Sequence, residues 1–208
     1  VTKSNSFYAW PFKSDNVSPW AYWTEAFSNE ECDKIIEYSK QYTMYNGKVG
    51  MGTTQNESVT GSISYVVDNE MRNSKVAFFG TNDLEWVFER LTDIVLKLNE
   101  DYFKFNLWGF AEGLQFTEYC EPGGHYDYHI DLTKSGPVRK LSIVVQLSDP
   151  AEYDNGDLEL VYCNRGELLP KTRGLLIAFP SYTLHRVVPV TRGKRNSLVG
   201  WITGEPFK

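Results

Sequence analysis

The hydrophobic period of this chain changes once, near residue 105, and no other feature constrains its fold as much. Before that point apolar residues recur at intervals of three and four. Leu84, Val87, Phe88, Leu91, Ile94, Val95 and Leu98 share one helical face, and Asn82 with Glu85 offers an N-x-x-E cap to open it. Ser28 and Glu31 form an S-x-x-E capping box for an earlier helix that carries Cys32, Ile35, Ile36 and Ser39 and ends near Tyr42. After residue 105 the period is two, punctuated by Gly and Pro. Strands are predicted over 113–119, 126–132, 141–147, 157–162, 175–179, 185–190 and 195–202, the spacing of a sandwich or barrel. On the strand 141–147, Leu141, Ile143, Val145 and Leu147 share a face and are expected to line a dry interior. Residues 1–27 read as an aromatic, irregular segment wrapped on the domain. Residues 46–61, rich in Gly, Asn, Thr and Ser, read as an exposed mobile loop and a possible lid.

A chain of 208 residues suffices for one domain with a sizeable core. A single domain over 1–208 is expected, with 1–104 as helical and irregular support and 105–208 as a β-rich core. The 27 acidic residues outnumber 21 basic ones, so no excess positive field exists to hold a phosphate backbone, and nucleic acid is excluded as a general partner. Cys32, Cys120 and Cys163 are odd in number and widely spaced, which indicates neither a disulfide framework nor a zinc knuckle. A reducing, cytoplasmic setting is expected. No apolar run approaches a membrane span, and no basic segment followed by an apolar stretch opens the sequence, so no membrane association is expected. Aromatic residues make up 15%, which suits either a β-rich core or a binding surface.

The chain has only three histidines, His125, His129 and His185, all in the β-rich half. His129-Ile130-Asp131 falls on a predicted strand, where residues two apart project to one face, so imidazole and carboxylate point together. If His185 faces the same cavity, two histidines and one carboxylate occupy one face of a metal and leave three positions open, which suits non-haem Fe(II). Taken alone, an H-x-D pair is common by chance and a lone histidine is more often a core or surface residue. Arg195 lies ten residues after His185 in what reads as a hairpin, and an arginine four to six strand positions from the metal histidine would lie about 13 to 20 Å away along the sheet. A dicarboxylic acid could chelate the metal at one end and pair with the Arg195 guanidinium at the other. Both residues face inward only if the turn has an odd count or a bulge, and Gly193 permits either. The bland alternative for Arg195 is a solvated hairpin charge like Arg192 and Lys194.

This arrangement resembles the 2-oxoglutarate- and Fe(II)-dependent dioxygenases, and within them the prolyl 4-hydroxylase branch. The resembling text runs from about Arg72 to Thr203 and includes Tyr119-Cys120-Glu121-Pro122-Gly123-Gly124-His125-Tyr126, Asn155-Gly156-Asp157-Leu158-Glu159-Leu160 and Phe179-Pro180-Ser181. The resemblance implies an α+β, mainly β fold: a double-stranded β-helix, a jelly-roll or cupin-like core backed by N-terminal helices. It implies that His129, Asp131 and His185 ligate iron, and that Arg195 anchors the far carboxylate of 2-oxoglutarate with help from Tyr119 and Ser197. Tyr126 and Trp201 match positions that border the substrate pocket, and both could equally be packing residues. The implied cofactors are Fe(II), 2-oxoglutarate and O2, with ascorbate as a reductant. The implied reaction hydroxylates proline in a peptide or protein and converts 2-oxoglutarate to succinate and carbon dioxide. Collagen-type relatives carry lysine where Arg195 stands and histidine where Thr203 stands, so their substrate preference does not transfer. Asp131 stands where related halogenases carry a small residue, which favours hydroxylation. The alternatives are the same chemistry on another amino acid or a small metabolite, a cupin-like metalloenzyme of another type, or a non-enzymatic jelly-roll module that stacks carbohydrate on its aromatics.

Overall fold

The structure, a computed structural model, describes residues 17–51, 64–132 and 136–206. Its elements run β1 (Ala21–Trp23), α1 (Asn29–Ser39), β2 (Tyr45–Asn46), β3 (Val49–Met51), β4 (Ser64–Val66), β5 (Arg72–Asn73), β6 (Lys75–Phe79) and α2 (Glu85–Leu98). Then follow β7 (Leu107–Phe110), β8 (Leu114–Cys120), β9 (Gly124–His129), β10 (Arg139–Gln146), β11 (Tyr153–Asn155), β12 (Leu158–Tyr162), β13 (Arg165–Leu168), β14 (Leu176–Pro180) and β15 (Leu184–Gly204). Every strand pairing is antiparallel. The major sheet has the order β1-β14-β10-β15-β8-β6-β2, and β5, β9, β12, β13 and β11 form a second set around the other half of β15. β15 belongs to both: His185 pairs with His129 and Leu160, whereas Arg195 pairs with Tyr119 and Leu198 pairs with Val145. One strand thus closes the two sheets into a jelly roll.

The helices form as their sequences dictate. Ser28 caps α1 by accepting from the Glu31 backbone N–H at 3.3 Å, and Glu31 accepts in return from the Ser28 N–H at 2.9 Å. α2 begins differently from expectation: its N-cap is Leu84, with no side-chain cap, because the adjacent Asp83 carboxylate accepts from the Gly80 N–H instead. Val87, Phe88, Leu91, Ile94, Val95 and Leu98 bury one α2 face, at roughly 1.5–3 kcal/mol for each side chain fully removed from water. That face covers the outer side of the major sheet.

Four strand expectations need correction. Residues 185–202 are not a hairpin, since β15 runs unbroken for 21 residues. Gly193, at φ 74°, sits in an irregular stretch of that strand rather than in a turn. The predicted strand 126–132 stops at His129, so Asp131 lies beyond it and donates its N–H to the Ser181 carbonyl at 2.9 Å. Leu141, Ile143, Val145 and Leu147 do not line the barrel interior, because they pack against the helices in the main core. The opposite face of β10 carries Ser142, Val144 and Gln146 inward. Finally, residues 21–23 are an edge strand on β14, and residues 46–51 contribute β2 and β3, the latter paired with β4, rather than plain loop. The remainder of the expected loop, 52–61, and residues 1–16 lie outside the described residues. Among the described residues, no helix is long and apolar enough to cross a membrane.

Candidate active site

Cross-strand register assembles the site. His129 lies opposite His185, Tyr119 opposite Arg195, Gln146 opposite Ser197, and Ser142 opposite Trp201. Directly opposed residues share a sheet face, so these pairs project into one interior. On β15 the inward positions are His185 and Val187, then Val190, then Arg195 and Ser197. The inward set shifts by one residue and shifts back, and the two irregularities together return Arg195 to the face of His185. The result is a cavity of about 780 Å³ that holds all eight residues singled out from the sequence: His129, Asp131, His185, Arg195, Tyr119, Ser197, Tyr126 and Trp201.

At its base, one ligand atom from each of His129, Asp131 and His185 lies within 4.8 Å of the others. The Nε2 atoms sit 3.8 Å (His129) and 3.6 Å (His185) from the two Asp131 carboxylate oxygens. Each imidazole uses its Nδ1 on a backbone carbonyl, His129 on Asp127 at 2.7 Å and His185 on Thr183 at 2.9 Å. A carbonyl can only accept, so both Nδ1 atoms carry the proton and both Nε2 lone pairs are free to ligate. Asp131 is held by the Ser142 hydroxyl, which donates to its Oδ2 at 2.6 Å and lies 3.0 Å from the Ser181 hydroxyl. Tyr126 stacks on His129 with ring centroids 3.5 Å apart, and Phe179 meets His185 edge-on at 4.8 Å. The three donors are therefore oriented before any metal arrives, which is the supporting shell a metal site needs. His125 stands apart, with its ring nitrogens on the Gly123 and Glu70 carbonyls.

The electrostatics agree with the geometry. Burial, reinforced by His185, pushes the His129 imidazole down to about 3 from an ordinary 6.5. Burial opposes the Asp131 charge, but His185, His129, the Ser142 hydroxyl and the Trp201 indole outweigh it and hold the carboxyl below its usual range. A consequence follows for the metal-free protein. The unfolded chain takes a proton on this imidazole near pH 6.5 and the folded chain only near pH 3, so acid favours unfolding across that window. The urea midpoint is expected to fall as pH drops from 6.5 towards 3, and to fall less steeply in His129→Asn; equal slopes in the two proteins would contradict it.

Further into the cavity, Arg195 is 1% exposed and is the largest fully buried side chain. Its Nη2 donates to the Gln146 amide oxygen at 2.9 Å and its Nε has no partner. Among the described residues no carboxylate forms an ion pair with it. A buried cation without an anion is costly, so the guanidinium is chemically a receptor for one. Tyr119 lies with its ring 5.5 Å from the Arg195 Cζ, and burial raises its hydroxyl pKa, keeping it a donor. Ser197 is fully buried beside them. The sequence reading missed Ser142, Gln146, Arg72 and Arg139. Arg139 grips Glu112 through two hydrogen bonds of 2.6 and 2.7 Å and covers the Trp201 ring at 3.9 Å. A polar residue between apolar neighbours, as in Leu141-Ser142-Ile143, was the available signal for the first of these.

Comparison with known proteins follows the same lines. The family model of the 2OG-Fe(II) oxygenase superfamily matches residues 114–203. A PKHD-type hydroxylase of Sphingopyxis alaskensis is 36% identical over 116 residues, covering 52% of this chain and 53% of that protein. The chain spans about half the length of the curated relatives it matches. In fold, it is similar to a prolyl-4-hydroxylase of Pseudomonas putida, with a TM-score of 0.67 and 17% identity over 90% of this chain and 94% of that one. It is likewise similar to a prolyl hydroxylase of Trichoplax adhaerens solved with a hypoxia inducible factor oxygen degradation domain peptide, with a TM-score of 0.68 and 16% identity over 89% and 84%. The jelly-roll core and the His–Asp–His cluster agree with the family match: residues 114–203 match the 2OG-Fe(II) oxygenase superfamily, and the chain is similar in fold to prolyl 4-hydroxylases.

Proposed function

We propose that this protein is an Fe(II)- and 2-oxoglutarate-dependent dioxygenase that hydroxylates prolyl residues of a peptide or protein. The observation that carries the reading is the coexistence, in one cavity, of three converging metal donors and a buried arginine that lacks an anion. His129, Asp131 and His185 fit a ferrous ion because two neutral Nε2 atoms and one carboxylate leave positions for a chelating co-substrate. When bound, iron and 2-oxoglutarate with O2 supply oxidative decarboxylation to succinate and carbon dioxide, coupled to oxygen insertion at a C–H bond. The chain's own residues hold and shield these groups. Arg195 takes the distal carboxylate in a charge-assisted pair, while Tyr119 and Ser197 offer hydroxyls beside it. Ser142 keeps Asp131 aimed at the metal. Val144, Leu158, Phe179, Val187 and Val199 make a largely apolar wall that keeps bulk water from the reacting carbon. Tyr126 and Trp201 border the place where a proline ring would enter.

The test is incubation in air with Fe(II), 2-oxoglutarate, ascorbate and a panel of proline-containing peptides. Succinate should form together with a peptide that has gained one oxygen atom on proline. Succinate with oxygen entering only free amino acids or metabolites would overturn the prolyl reading, and no succinate under any condition would overturn the dioxygenase reading.

A further inference from the structure

The cavity contains a second guanidinium with an unmet demand. Arg72 is 6% exposed and lines the cavity. It is fixed at both backbone and side chain: it pairs in register with Tyr126, its Nε donates to the Ser74 hydroxyl at 2.8 Å, and its Nη1 donates to the Lys48 carbonyl at 3.3 Å. Its Nη2 is buried without any partner. Among the described residues, the only charge compensation in view is the Tyr126 ring, 4.5 Å from the Cζ, and a π-face attracts a cation without neutralising it. Lys48, exposed and lining the same cavity, also forms no ion pair among the described residues.

Formal charges decide what these two cations are for. On the function proposed above, a ferrous ion, the Asp131 carboxylate, a 2-oxoglutarate dianion and the Arg195 guanidinium cancel. Arg139 is already paired with Glu112. Among the described lining residues, Arg72 and Lys48 are what remains, a surplus positive wall in a cavity whose loaded centre is neutral.

We infer that Arg72 and Lys48 form an anion-binding subsite for the primary substrate, and that the preferred substrate is an acidic peptide with a carboxylate side chain beside the target residue. Arg72 supplies the directed donor, its free Nη2, and Lys48 a movable charge at the rim. The inference rests on the proposed function only for the identity of the reacting group.

The experiment uses the full chain loaded with Mn(II) and 2-oxoglutarate, which binds but does not turn over, and three terminally blocked, proline-centred heptapeptides with Glu, Gln or Lys on both sides of the proline. Calorimetry should show the Glu peptide binding about tenfold or more tighter than the Gln peptide, the worth of one charge-assisted hydrogen bond, with the Lys peptide weakest. Arg72→Gln and, separately, Lys48→Gln should shrink the gap between Glu and Gln peptides while leaving 2-oxoglutarate binding unchanged. Because the wild-type panel carries the comparison, a poorly folding Arg72 variant does not spoil it. Equal affinity for Glu and Gln peptides, preference for Lys, or no binding of the Glu peptide would overturn the subsite. A loss of 2-oxoglutarate binding in Arg72→Gln would instead assign that arginine to the co-substrate. Oxygen incorporation without charge preference would leave the proposed function standing and sink only this inference.

Discussion

Replacement of Asp131 by alanine is expected to weaken divalent metal binding by at least about 100-fold, beyond the 10–100-fold that loss of an outer-shell partner costs. The reason is geometric. Asp131 is the one anionic donor of the cluster and the only one within reach of both Nε2 atoms, at 3.8 and 3.6 Å. Without it, two neutral imidazoles remain, and the Ser142 hydroxyl loses its acceptor. Titration with Mn(II), followed by electron paramagnetic resonance, reads the loss directly and does not depend on turnover. Asp131→Asn keeps the shape and the hydroxyl contact but removes the charge, so it should fall on the weak side as well. Near-native affinity in either variant would place the metal elsewhere.

Arg195→Met is expected to act in opposite directions on binding and on stability. Hydrogen bonds to charged groups are worth about 1.5–3 kcal/mol, so loss of the guanidinium should weaken 2-oxoglutarate binding roughly 10- to 150-fold. In the ligand-free protein the same side chain is a buried cation with one neutral acceptor and an unpartnered Nε. Replacing such a charge with an apolar group of similar reach removes a desolvation cost, and the ligand-free variant should melt no lower than the wild type. Calorimetric titration with 2-oxoglutarate in the presence of Mn(II), set beside thermal melts of the metal-free protein, separates the two effects. Unchanged 2-oxoglutarate affinity would remove Arg195 from the co-substrate site. A large loss of stability with no loss of affinity would make it a structural residue.

The α2 stripe and the Ser28–Glu31 capping box were legible because both are local, with a period and a cap within a few residues. The positions His129, Asp131, His185 and Arg195 were legible as a pattern, and all four line one cavity. The backbone that joins them was not. Gly193 carries the same signal for a turn and for an irregularity in a continuous strand, and only pairing with strands distant in sequence tells the two apart. Likewise, alternation along 141–147 identified two faces of a strand but not which of them met the helices. The more apolar face went to the larger core, and Ser142 and Gln146 were left to face the cavity. Arg72 escaped notice because nothing near it in sequence marks it as buried. Its partners Tyr126 and Lys48 come from other elements.

The central claim is that His129, Asp131 and His185 hold one ferrous ion that is chelated by 2-oxoglutarate. Anaerobic titration of the protein with Fe(II) and 2-oxoglutarate tests it most directly. A weak visible charge-transfer band should grow to saturation at one iron per chain and be absent with Asp131→Ala or with succinate in place of 2-oxoglutarate. No band at saturating iron and 2-oxoglutarate, or a band that persists in Asp131→Ala, would contradict it.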